Sequence, residues 1–234
     1  MARILGRVLW TQSSGDLMKT NVVIQGDCLE VMRGMEDNSA DLILTDPPYN
    51  AVNRKTGGLR IINKGGADSL PVDIPLLCSE LSRITRGSIY QFMGIGQISK
   101  SNETYLKNGM TTRLGVWVKT NPSPMNGSRL WLSGTESILF ARKPQATFNR
   151  HCASAVWIYA THPTLHPCEK PIDLISELIL ASSNPNDLIL DPFAGSGSTL
   201  VAAKQLGRRY IGIEIEPKYV AICNERLKQE VLAL

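Results

Sequence analysis

An α/β fold with a mostly parallel sheet follows from three features of this 234-residue chain. Near the start lies a strand–helix–strand unit. Asn21 to Gln25 reads as a short strand and Cys28 to Met35 as a helix with Leu29, Met32 and Met35 apolar. Ala40 to Thr45 reads as an apolar run suited to a strand buried on both faces. Near the end lies a second such unit: Leu188 to Asp191, a glycine-rich turn, a helix over Leu200 to Leu206, and a strand over Tyr210 to Ile213. The third feature is that these strands run into acids, Asp27, Asp46, Asp191 and Glu214. Ligands in open α/β sheets bind outside the carboxyl ends of the strands.

The chain is long enough for one large domain with a sizeable core. Residues 1–20 read as an N-terminal extension, since Met18-Lys19-Thr20 looks like a start of its own, and not as a signal peptide, because their apolar stretch is short, broken by Arg3 and Arg7, and followed by no small-residue cleavage site. No apolar run approaches the ~20 residues of a membrane span. The five cysteines (28, 78, 152, 168 and 223) are scattered without a C-x-x-C pair, and there are three histidines. That usage fits reduced thiols in a cytoplasmic protein and argues against a disulfide frame or a metal site. A net charge of +4 permits a polyanionic partner without demanding one.

Asp46-Pro47-Pro48-Tyr49 closes the Ala40–Thr45 strand. Two prolines remove two backbone donors and fix both φ angles, so the strand stops at a rigid corner. The corner offers a carboxylate, a prolyl carbonyl and an aromatic ring, a set able to grip a flat base by its amino group. The structural alternative is a plain strand-ending turn. Upstream, Asp27 fits both a site carboxylate and a helix N-cap. Downstream, residues 50–68 form a glycine-rich loop with Arg54, Lys55, Arg60 and Lys64, which next to this corner suits contact with a nucleic-acid backbone.

Further along, Ile74 to Thr85 reads as a helix with Ile74, Leu77, Leu81 and Ile84 on one face. Gly87 to Met93 reads as a strand, Gln97 to Asn108 as a weaker helix, and Leu114 to Val118 and Glu136 to Ala141 as strands. Val156 to Tyr159 is a short additional one. The polar, basic segment 142–165, with Arg142, Lys143 and Arg150, is the candidate for reading a target sequence. Trp117, Trp131 and Trp157 stay unassigned, since tryptophans at strand ends more often belong to the core. A rigid turn, His166 to Pro171, leads into a helix over Ile172 to Ser182, and a last helix starts near Pro217.

The second unit has a nucleotide-binding plan. Glycines in Pro192-Phe193-Ala194-Gly195-Ser196-Gly197-Ser198-Thr199 let the backbone approach a ligand, and Glu214, 23 residues after Asp191, can accept hydrogen bonds from ribose hydroxyls. The turn is not G-x-G-x-x-G and carries no Gly-Lys-Ser/Thr, which argues for a nucleoside without phosphates.

D-P-P-Y at 46–49, H-P-x-E-K-P at 166–171 and D-P-F-A-G-S-G-S-T at 191–199, in that order, resemble the β group of DNA amino-methyltransferases. The resemblance covers roughly residues 21 to 230. It implies a Rossmann-like, mostly parallel seven-stranded sheet with helices on both faces, and S-adenosylmethionine as cofactor. It also implies a permuted order in one methyltransferase domain over 21–234: a catalytic half over 21–141, the recognition segment 142–165, and a cofactor half over 166–234. By position, Asp46, Pro47, Pro48 and Tyr49 would hold the target base. Asp27, Cys28, Lys170, Asp191, Phe193, Ala194, Gly195, Ser196, Gly197, Thr199 and Glu214 would line the cofactor site, with Lys170 facing the methionine carboxylate. Cys168 departs from the usual Thr of its turn, and the long target-recognition insert of the family is missing. The implied partner is double-stranded DNA with its target base flipped out, and members often form homodimers. Asp at the head of the corner favours adenine N6. Cytosine N4 is the runner-up, and RNA methylation or a non-catalytic DNA-binding role with a vestigial pocket are the rivals.

Overall fold

A computed structural model describes residues 19–49, 72–124, 127–161 and 169–229. The cations Arg54, Lys55, Arg60 and Lys64, nearly all of the 1–20 extension, residues 166–168 of the turn and residues 230–234 lie outside the described residues.

Among the described residues eight strands form one sheet: β1 (Val22–Gln25), β2 (Ala40–Thr45), β3 (Thr85–Met93), β4 (Thr111–Lys119), β5 (Thr135–Arg142), β6 (Val156–Tyr159), β7 (Leu188–Asp191) and β8 (Arg209–Glu214). Their spatial order is β1-β8-β7-β2-β3-β5-β4-β6. The expected count of seven is exceeded by one, because the short β6 does pair, in parallel, along the outer edge of β4. Only β5 runs against the rest, antiparallel to both β3 and β4.

Alternation along the central strands decides which helices lie where. On β2, Ile43 faces one core and Leu42 and Leu44 the other. The first core is closed by α1 (Cys28–Arg33) and α2 (Ile74–Ile84), with Tyr105 of α3 (Ile98–Lys107). The second is closed by α4 (Ile172–Ser182), α5 (Ser198–Gln205) and Cys223 of α6 (Pro217–Lys228). Helices thus cover both faces, which is why Leu42, Ile43 and Leu44 of β2 and Leu188, Ile189 and Leu190 of β7 form continuous apolar runs rather than alternating with polar residues. Helix starts follow local chemistry: Asp27 accepts a hydrogen bond from Glu30 N at 3.0 Å, and Asp73 one from Leu76 N at 3.0 Å.

β2 and β3 pair with a register shift between Ala40 and Leu42. Gly87 sits at that irregularity, where a Cβ would lie 1.9 Å from the Asp41 carbonyl oxygen. Backbone cannot yield there as a side chain can. Gly87→Ala is therefore expected to cost at least about 1–3 kcal/mol, measured as a lowered urea midpoint with an unchanged slope.

The direction of chain travel reverses between β7 and β2. From β2 the chain leads on to β3, and from β7 it leads the other way to β8. Such a switch point opens a crevice at the carboxyl edge of the sheet.

Candidate active site

Asp46 stands at that crevice, at the end of β2. Its Oδ2 accepts from Lys170 Nζ at 2.6 Å. Its Oδ1 is buried without a hydrogen-bond partner among the described residues. Burial pushes its pKa up, Lys170 opposes that, and Glu136 adds to it.

Glu136 is the residue that sequence reasoning missed. It is the second residue of β5, and because β5 is antiparallel its beginning lies at the edge where the parallel strands end. One carboxylate oxygen accepts from the Tyr49 hydroxyl and from Lys170 Nζ, the latter at 2.8 Å. The other accepts from Lys119 Nζ at 2.9 Å. Burial works against its charge, but Lys170 and then Lys119 outweigh it and hold its pKa near about 2. Lys170 also lies 4.9 Å from the centre of the Phe92 ring and 5.8 Å from that of Tyr49.

Two further residues fix the corner. Gln97 donates from Nε2 to the Pro48 carbonyl at 2.7 Å and accepts from Gly94 N at 3.2 Å. A Cβ on Gly94 would press on Tyr49 Cβ at 3.2 Å. The rigid corner expected from Pro47-Pro48 is thus held from the β3 side as well.

The glycine-rich turn follows β7. Gly195 and Gly197 both have positive φ, +52° and +85°. A Cβ on Gly197 would strike Cys223 Sγ at 2.3 Å, so this glycine lets α5 lie against α6, whereas Gly195 faces open space. Glu214 ends β8 and anchors the turn: Oε2 accepts from Gly195 N and Oε1 from Glu216 N, each at 2.8 Å. Arg226 of α6, unforeseen from sequence, donates to the Ser196 carbonyl at 2.8 Å and pairs with Glu169 at 2.9 Å. Ala194, Ser196 and Thr199 are buried around the turn, and Phe193 is partly buried against the first core. Asp27 and Cys28 sit at the end of β1, next to β8; the Cys28 thiol is pushed up to about 12 by burial.

Asp191 accepts from Phe193 N at 3.0 Å, yet burial raises its pKa to about 7. A carboxyl with a raised folded-state value disfavours the native state as it ionises, so its contribution to stability falls as pH rises from about 4 to about 7. Asp191→Asn keeps an acceptor for Phe193 and removes that charge. We expect its melting temperature to exceed wild type by roughly 5 °C or more at pH 8 and by clearly less at pH 5.

Arg142, Lys143 and Arg150 are not brought to this edge. β5 carries the chain away from Glu136, and its eight residues span roughly 26 Å. Arg142 then donates to the Ala146 carbonyl at 2.7 Å and Lys143 to Asn38 at 2.6 Å. Arg150 follows Asn149, whose amide is tied to the Leu180 and Ser183 carbonyls at the far end of α4. Of the described part of segment 142–165, β6 and Thr161 return to the carboxyl edge of the sheet. Trp117 and Trp157 are core residues and Trp131 is not.

Among the described residues no group of histidine, cysteine, aspartate and glutamate could hold a metal, and no helix is long and apolar enough to cross a membrane.

A family model described as DNA methylase, of the N6/N4 type, matches residues 40–225. Over 255 aligned residues the chain is 30% identical to the Type II methyltransferase M.HinfI of Haemophilus influenzae, an alignment taking in 89% of this chain and 68% of that one. The Type II methyltransferase M2.DpnII of Streptococcus pneumoniae is 28% identical over 246 residues, covering 89% and 90% of the two chains. Among solved structures, the M1.HpyAVI–SAM complex is similar with a TM-score of 0.70 at 27% identity, covering 88% of this chain and 99% of that one. Matched by the family model from β2 into α6, and similar to these enzymes over nearly nine-tenths of its length, the chain belongs to the N6/N4 DNA methylase family.

Proposed function

We propose that this methylase transfers a methyl group from S-adenosylmethionine to the N6 of an adenine turned out of duplex DNA. One observation carries the reading: a buried carboxylate oxygen, Asp46 Oδ1, without a hydrogen-bond partner among the described residues, at the head of a rigid corner that also holds an aromatic ring. An exocyclic amino group supplies the hydrogen-bond donor that oxygen lacks.

The cofactor half fits a nucleoside bearing an amino acid. Gly195 leaves open space over the turn, and Glu214, with two acceptor sites already engaged, retains lone pairs for ribose hydroxyls. Two of the three donors of Lys170 are engaged by Asp46 and Glu136, leaving one for a carboxylate. This supports Lys170, Asp191, the 193–199 turn, Glu214 and, across β1, Asp27 as the cofactor site. Bound S-adenosylmethionine supplies a methyl group on an electron-poor sulfonium.

The protein's task is to make a conjugated amine nucleophilic. Asp46 and the Pro47 carbonyl each accept one N–H of the target amine, which favours a pyramidal nitrogen with a localised lone pair. Tyr49, its hydroxyl fixed by Glu136, stacks on the extruded base and recovers part of the few kcal/mol of unstacking. Positioning and fixed charge supply the acceleration, and no covalent enzyme intermediate is needed. The Type II names of M.HinfI and M2.DpnII favour a restriction–modification setting.

Incubation with S-adenosylmethionine and unmethylated genomic DNA, followed by nucleoside mass spectrometry, tests the reading. N6-methyladenine is the expected product. N4-methylcytosine would keep the chemistry and overturn the base. No methylated nucleoside, with cofactor bound, would overturn the proposal.

A further inference from the structure

Among the described residues, the large apolar side chains most open to solvent are Trp131 (99% exposed), Ile95 (91%) and Leu130 (69%). All three lie on loops at the carboxyl edge of the sheet. Ile95 starts the one-turn helix Ile95–Gln97 that braces Pro48. Leu130 and Trp131 lie in the β4–β5 connection, a few residues before Glu136. With Leu132 they make three consecutive exposed apolar residues, a pattern that ordinary surfaces avoid.

The described parts of the connection are held by hydrogen bonds and packing. Its base is closed by Lys119 N donating to the Gly134 carbonyl at 2.8 Å. Asn121 is clamped to Thr161 at the end of β6 by bonds of 2.9 and 2.7 Å. Beside that closure, Gly134 N donates to the Leu132 carbonyl at 2.8 Å. Leu132 packs so closely over Gly127 that a Cβ there would meet it at 2.9 Å. Between Lys119 and Glu136 the only charged residue is Arg129, so the tip presents aromatic and aliphatic surface with one cation and no acid.

We infer that the Leu130-Trp131 tip is a wedge that enters the DNA base stack at the space left by the extruded nucleotide, with Ile95 abutting the same gap from the β3 side. The inference rests on the proposed DNA-methylating function. Extruding a base leaves a hole whose walls are base faces, and apolar or aromatic side chains at unstacked steps are a general means of filling one. Tyr49 receives the base at the corner. The neighbouring connection then supplies, from the same edge, the ring that replaces it, and Arg129 suits the flanking phosphates.

The test compares wild type and Trp131→Ala on unmethylated genomic DNA, native and heat-denatured, scoring methylated nucleoside by mass spectrometry. Base–aromatic stacking of the usual strength predicts a loss of about ten-fold or more on native duplex. On denatured DNA, where no stack must be opened, the loss should stay within about two-fold, and Trp131→Phe should recover most of the duplex rate. As a second readout, sheared duplex DNA should shield Trp131 fluorescence from acrylamide, a change missing in Trp131→Phe. Equal losses on both DNA forms, an unaffected duplex rate or a lack of shielding would overturn the wedge. So would a wild-type dimer that Trp131→Ala dissociates, since a second copy would then cover the tip. If wild-type enzyme shows activity on duplex alone, the shielding measurement decides. A wild type that methylates neither form would instead sink the functional reading beneath it.

Discussion

Asp46→Ala should lower single-turnover methyl transfer at least about 10³-fold while the dissociation constant for S-adenosylmethionine changes only a few-fold. The substitution removes the acceptor proposed to localise the lone pair of the target amine, an interaction that strengthens as the nitrogen pyramidalises. Loss of one such preorganised group at a reacting centre typically costs 10²–10³-fold, and here it is also the group that places the base. Asp46→Asn retains one oxygen and should fall between the two. Protonation should act as the substitution does. Burial raises the Asp46 pKa, so activity should fall as pH drops through a value above the ordinary ~3.9 of an aspartate. Glu136 does not contribute to that limb, because its carboxylate persists down to about 2. Removing Lys170, which opposes the rise, should move the limb further toward neutrality at saturating cofactor. A near-normal transfer rate in Asp46→Ala would remove Asp46 from the chemistry.

Glu136→Ala should lower the melting temperature by roughly 10 °C and slow transfer by about 10–100-fold. One buried carboxylate serves three groups: the Tyr49 hydroxyl, Lys119 and Lys170. Without it two largely buried ammonium groups lose a counter-ion, and breaking a buried pair from one side commonly costs about 3–5 kcal/mol. In a domain of this size each kcal/mol is worth roughly 2–4 °C. The rate should suffer separately, because the Tyr49 ring loses the bond that fixes its tilt. Glu136→Gln can still accept from Tyr49 but lacks the charge, so it should recover more of the rate than of the stability. Calorimetry beside single-turnover kinetics separates the two effects. A stable but slow Glu136→Ala would assign the network to positioning alone.

One element explains both what was legible beforehand and what was not. The apolar run ending at Asp46-Pro47-Pro48-Tyr49 and the turn at Pro192–Thr199 were readable because their strands are parallel. In a parallel sheet, the residue that ends a strand faces the ligand edge. β5 breaks that rule, and nothing in Thr135–Arg142 announces its direction. Reversal brought Glu136 into the site from the start of a strand. It sent Arg142 and Lys143 to the opposite edge, where charge alone had suggested a DNA contact. Gln97 and Arg226 were hidden for a different reason. Each reaches the site from a helix across the packing of two elements, and the helical pattern of neither segment marks that residue as unusual.

The pairing of β1 with β8 has a consequence during synthesis. Val22 lies against Ile211 and Gln25 against Glu214, so the first of the described strands is partnered by the last of them. At ribosomal rates of about 5–20 residues per second, the 189 residues separating Val22 from Ile211 take roughly 10–40 s to add. Throughout that interval β1 lacks its neighbour, and Asp27 and Glu214 stand together only once β8 has emerged. β2 can pair early with β3 and β3 with β5, but the edge where Asp27 and Glu214 meet stays incomplete until β8 docks. A product truncated before β8 therefore lacks the edge proposed to hold the cofactor while still carrying Asp46 and Glu136.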